Sequence, residues 1–108
     1  MLNEKVAELL NTQINKEFYS AYLYLSFSNY FSDEGLDGFA NWYRIQAQEE
    51  RDHAMLFIQY MQNNDAKITF EAINKPESEF DNHMAFKKQL LNNKVLKFNH
   101  HMPTLFTS

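Results

Sequence analysis

The residues best equipped for chemistry stand together at positions 46–53, in the order Gln-Ala-Gln-Glu-Glu-Arg-Asp-His. Glu50 and His53 are three residues apart, so on a helix their side chains leave the same face about one turn apart. A carboxylate oxygen and a neutral imidazole nitrogen are both donors to a divalent or trivalent cation. A Glu-x-x-His pair also arises by chance on many charged helix surfaces. Its meaning therefore depends on what the surrounding elements do with it.

The elements follow from spacing. Positions 3–31 contain no Gly or Pro, and apolar residues recur at helical intervals through Leu2, Val6, Leu9, Leu10, Ile14, Phe18, Ala21 and Leu25. The spacing predicts one helix of roughly 43 Å, long enough to need packing partners along its whole side. Ser-Asp-Glu-Gly at 32–35 reads as a stop and restart: Gly35 permits a left-handed backbone, and Ser32 or Asp33 is suited to cap the next helix. A second helix is expected over 36–63, with a stripe of Leu36, Phe39, Ala40, Tyr43, Ala47, Ala54, Phe57 and Met61. So short a connection makes the two helices an antiparallel hairpin.

Within these stripes two polar residues stand out. Leu10, Ile14, Glu17, Ala21, Tyr24 and Ser28 step by four and three along the first helix, and Tyr43, Ala47, Glu50, Ala54, Phe57 and Met61 do so along the second. Each apolar seam is broken by one glutamate. Glu17 lies 17 residues before Glu34 in the turn and Glu50 lies 16 after it, so both sit roughly 25 Å from the turn, at one height. Two carboxylates buried side by side are disfavoured by desolvation and mutual repulsion, and a bound cation is the simplest compensation. His53 adds a nitrogen ligand and Tyr24 a phenol beside Glu17. In four-helix di-iron proteins such a Glu-x-x-His unit on one helix is joined by single carboxylates from its neighbours. The plainer reading of either glutamate alone is a seam edge meeting solvent, Arg44 or Arg51. Glu49 and Asp52 are expected to face solvent, and the aromatic residues to fill the core or a subunit interface.

Composition narrows the field. A chain of 108 residues is one small domain, and 44% hydrophobic content is enough for a core. The absence of cysteine excludes disulfides and thiolate metal sites. A net charge of −4 argues against nucleic acid as a partner. No apolar run approaches the ~20 residues of a membrane span, and no leader pattern opens the chain, so a cytoplasmic protein away from membranes is expected. The charge is unevenly spread. Positions 1–85 hold all 14 acidic side chains against six basic ones (−8), whereas 86–108 hold four lysines and no acid (+4).

The runs NKEFYSAYLYLSFSNYF and EGLDGFANWYRIQAQEERDHAMLF resemble the first two helices of non-haem ferritins of the bacterial type, and NNDAKITFEAINKPESEF resembles the long connection that follows them. The resemblance covers about 1–85. It implies an all-α fold: a ferritin-like helical hairpin, half of a four-helix bundle, with a long connection over 64–85. It also implies an iron-storage protein that oxidises Fe(II) with O₂ and assembles into a shell. By matching positions, Glu17 resembles the first-helix iron ligand, Glu50 the carboxylate bridging two irons, His53 the histidine ligand and Tyr24 the tyrosine near the centre. Glu49 matches an accessory iron site of some bacterial members. Haem is not expected, because Arg51 stands where haem-binding relatives carry methionine.

The departure begins after Ala85. The acidic ligands that the family draws from its third and fourth helices have no counterpart in 86–108, which reads instead as a divergent tail, disordered or with a short amphipathic helix over 90–98 that Pro103 would stop. Shifted by one frame, codon degeneracy allows Gln-Glu-Ala-Ala-Ser-Glu-Gln-Gln across 86–94, as in an out-of-frame, truncated ferritin. His100 and His101 diverge by about 100° on a helix and do not share an ion. Two hairpins paired about a two-fold axis would rebuild a four-helix bundle and bring Glu17, Glu50 and His53 of each copy to one interface, so a homo-oligomer, a dimer at least, is expected. The alternatives are an inactive fragment that binds metal weakly, and a helical module that pairs with other ferritin subunits.

Overall fold

The computed structural model describes residues 2–77. Two helices, α1 (Glu4–Asp33) and α2 (Asp37–Asn63), pack against each other. The fold is thus the expected helical hairpin, and no strand occurs among the described residues. The tail at 86–108, the helix expected at 90–98 and the end of the connection lie outside them.

α1 begins where Asn3, in an extended conformation, accepts the Val6 amide on Oδ1 at 2.9 Å. Such a cap satisfies one of the first turn's otherwise orphaned donors and is worth about 1 kcal/mol. Glu4 in the first turn adds a favourable charge at the positive end of the helix. At the other end, the Leu36 amide reaches back to the Phe31 carbonyl (2.8 Å) and the Gly35 amide to that of Ser32 (3.0 Å). This double closure needs a left-handed residue, which Gly35 supplies at φ 75°. α2 closes the same way, with Ala66 bonded to Met61 (3.0 Å) and Asp65 to Gln62 (3.2 Å). Here the left-handed position, φ 56°, is filled by Asp65, a residue that tolerates it less well than glycine.

The cap expected from Ser32 or Asp33 does not form: Leu36 is the N-cap of α2, with no side-chain hydrogen bond. The tight closure of α1 runs through Leu36 itself, which leaves those residues in the last turn of the preceding helix. Ser28 Oγ instead donates to the Ala40 carbonyl at 2.6 Å, tying the helices together just below the turn.

The core has two parts. Near the turn, Tyr24, Phe27, Phe31 and Tyr43 form a cluster of ring contacts 5.3–5.9 Å apart. Each such pair contributes about 0.5–1.5 kcal/mol beyond simple burial. Toward the open end, Ile14, Ala54, Ile58 and Met61 are buried, with Leu10, Phe18 and Phe57 packed beside them. Of the α2 stripe, Tyr43, Ala47, Ala54 and Met61 are buried as expected and Phe57 is partly buried, but its first members Leu36 and Phe39 are exposed. On α1 the expected apolar set was too broad. Val6, Leu9 and Leu25 are exposed, while Leu23, Tyr30 and Phe31 are buried, because successive steps of four, as from Leu2 to Phe18, each advance about 40° and carry the list across more than one face.

After α2 the chain turns back along α1. The Asn11 amide pairs with Thr69 through both its oxygen (2.7 Å) and its nitrogen (3.2 Å), and Asn15 bonds the Thr69 carbonyl (3.0 Å) and the Glu71 amide (2.8 Å). Farther along, Ser26 donates to the Glu77 carbonyl at 2.5 Å. Two asparagines one turn apart thus act like a strand edge, satisfying an extended backbone that has no other ladder.

Candidate metal centre

Between the two parts of the core lies a polar layer. Glu17 reaches it from α1 and is 3% exposed; Glu50 reaches it from α2 and is wholly buried. His53, one turn beyond Glu50, is partly exposed and closes the layer on one side. Its Nδ1 stands 3.5 Å from Glu17 Oε1 and 3.6 Å from Glu50 Oε2. One ligand atom from each of the three residues falls within 4.8 Å of the others. The antiparallel hairpin therefore brings together the acids that equal distance from the turn placed at one height.

The arrangement suits a cation. Carboxylates this deeply buried lose the hydration that stabilises their charge, and two of them repel in a low-dielectric site. Oxygen, oxygen and imidazole nitrogen converging on one point form a donor set typical of divalent first-row metals. The arginines considered as plainer partners are engaged on the exposed side, Arg44 with Asn41 and Arg51 with Asp52.

The remaining expected residues are placed as follows. Tyr24 is wholly buried, with its ring against Phe27 and Tyr43. Glu49 is half-buried rather than solvent-facing, and its Oε2 accepts from Gln46 Nε2 at 3.1 Å; Asp52 is exposed as expected. The phenol of Tyr43 is pushed well above its ordinary range, first by burial and then by the neighbouring Tyr24. Two buried polar residues near the centre, Ser20 and Gln46, carried no assignment from the sequence. The available signal was their spacing, since each lies one turn from a candidate ligand.

Comparison with known proteins gives a consistent picture. Residues 7–96 match the family described as Ferritin, ferritin-like domain. Over 80 residues the chain is 41% identical to a bacterial non-heme ferritin of Campylobacter jejuni and 39% identical to one of Staphylococcus saprophyticus, covering 74% of this chain and 48% of each relative. Among solved structures it is similar to a humanized archaeal ferritin, with a TM-score of 0.80, 43% identity, and 88% of this chain and 58% of that one covered. It is likewise similar to an open-pore ferritin of the hyperthermophilic archaeon Archaeoglobus fulgidus, with a TM-score of 0.78, 42% identity, and 88% and 59% coverage. The chain spans about half the length of the curated relatives it matches.

Proposed function

The chain belongs to the ferritin-like domain family, and from that membership we propose that it binds iron at Glu17, Glu50 and His53 and oxidises Fe(II) to Fe(III) in the service of iron storage and detoxification. The observation that carries this reading is the convergence of three ligand atoms within 4.8 Å around two buried carboxylates. Iron is the substrate. Glu17 and Glu50 supply anionic oxygens that stabilise the higher charge of Fe(III), and His53 supplies a neutral donor that adds no repulsion. Each iron gives up one electron, and O₂ accepts them. Tyr24, seven residues after Glu17 on α1 and buried in the aromatic cluster, is proposed as a phenol that shapes or assists the centre. Glu49 serves an accessory iron position. The proposed setting is the cytoplasm, with the chain as part of a homo-oligomer, and no role is assigned to haem, nucleic acid or a membrane. No helix among the described residues is long and apolar enough to cross one.

A second reading is favoured by the size of the ligand group itself, which among the described residues is three side chains. With one acid from α1 and a Glu-His pair from α2, a single copy offers the ligands of one iron and a shared carboxylate. The chain then binds metal without rapid oxidation, or pairs with other ferritin subunits, and 1–85 acts as the ferritin-like part with 86–108 as a divergent tail.

Aerobic Fe(II) titration followed by ferric absorbance separates these. The first reading predicts fast oxidation saturating at about one iron per chain, abolished in Glu50→Ala. Binding without fast oxidation supports the inactive fragment. No binding at all, with Glu50→Ala indistinguishable from the parent, supports the pairing module.

A further inference from the structure

Gln46 has no part in the reading above, yet its position is unusual. It is 7% exposed, and with Glu50 it makes up the buried polar surface of α2. Its Nε2 donates to Glu49 Oε2 at 3.1 Å. Its Oε1 is buried and has no hydrogen-bond partner among the described residues. The orientation of the amide is fixed by chemistry: a carboxylate only accepts, so the NH₂ end must face Glu49 and the oxygen is the end left over. A buried acceptor without a donor is destabilising, a burden that a helix-forming apolar residue at this position would avoid.

The residue also has a specific place on the helix. Glu50 is four residues on and His53 seven, so all three lie along one face of α2, with Gln46 a turn closer to the hairpin bend than Glu50 and His53 a turn farther. A carboxamide oxygen is a hard, neutral donor of the kind that completes oxygen-rich cation sites. Between buried carboxylates a neutral donor adds coordination without adding charge. We propose that Gln46 is a further ligand of the Glu17–Glu50–His53 centre: its nitrogen tethers Glu49, and its oxygen meets the bound cation from the bend side of Glu50. The inference rests on the cation-binding reading and extends the donor set by one residue that this chain itself carries.

Co²⁺ titration of the full chain, followed by its visible absorption bands and by thermal unfolding with and without the ion, tests this. Gln46→Leu keeps the volume and removes the lone oxygen. Its apoprotein should be at least as heat-stable as the parent, while Co²⁺ affinity falls on the order of tenfold, the band shape changes and the Co²⁺-dependent rise in Tm shrinks. Gln46→Asn keeps the amide and withdraws it by one methylene, so it should fold and still bind Co²⁺ more weakly. If Glu50→Ala loses Co²⁺ while Gln46→Leu and Gln46→Asn bind it with parental affinity and band shape, the Gln46 assignment is wrong and the centre stands without it. If the parent takes up no Co²⁺, or Glu50→Ala binds as tightly as the parent, the cation reading itself fails.

Discussion

The centre is defined by two glutamates in positions that apolar residues would otherwise occupy. In the absence of a cation each is a burden, and Glu17→Gln should show it. The variant keeps the shape and removes one of two neighbouring buried carboxylates, so the cation-free protein should melt at least as high as the parent. The increase in Tm produced by a divalent cation should fall in the same variant, and paired thermal melts with and without the ion check both. Equal melts in parent and variant under both conditions would mean that the two carboxylates neither repel nor share an ion. Tyr43 makes a separate prediction. Its folded-state phenol is raised above the unfolded value of about 10, so the folded chain favours the neutral form. That contribution to stability is complete below about pH 10 and declines as pH rises beyond it toward the raised folded value. Phenolate absorbance and helicity should therefore change together for this residue in alkali. Ionisation of all six tyrosines near pH 10 with helicity intact would contradict its burial.

At the scale of elements, the hairpin depends on its bends and on an unexpected tie. A Cβ built at Gly35 meets nothing within 4 Å, so the cost of Gly35→Ala is purely the left-handed backbone, about 1–2 kcal/mol in urea unfolding. Asp65→Gly at the second closure should stabilise by about 0.5 kcal/mol, since the relief of its left-handed conformation is partly offset by glycine's greater unfolded freedom. Asn15→Ala removes two hydrogen bonds that hold the connection to α1. It should cost about 1–2 kcal/mol and speed amide exchange at Glu71 while leaving α2 protected. The bend at Gly35 and the α2 seam were legible in the sequence because glycine conformation and steps of three and four are local properties. The Asn11–Asn15 tie was not, because an amide that pairs with a distant backbone leaves no period. Neither was Gln46: glutamine is an ordinary helix former, and only the folded chain reveals that one end of its amide is engaged and the other enclosed. Glu17, Glu50 and His53 were legible together because the hairpin converts equal distance from the bend into equal height.

On the scale of the molecule, the described residues leave much apolar surface uncovered. Leu9 is 64% exposed, Leu56 68% and Phe70 62%, and Tyr22, Leu25 and Tyr60 are each about half exposed. Surface of this kind on two faces of a hairpin favours association, and the expected state in solution is a dimer or larger assembly of this chain. Light scattering coupled to size exclusion should give a multiple of the monomer mass, and a strictly monomeric chain at micromolar concentration would refute it. The central claim is more local: one cation joins acids from the two arms of the hairpin. A crystal grown anaerobically with ferrous salt and measured across the iron absorption edge tests it most directly. The expected map has an anomalous peak bounded by Glu17, Glu50 and His53, with both carboxylates turned toward it. A map with no peak there, and those side chains directed apart, would contradict it.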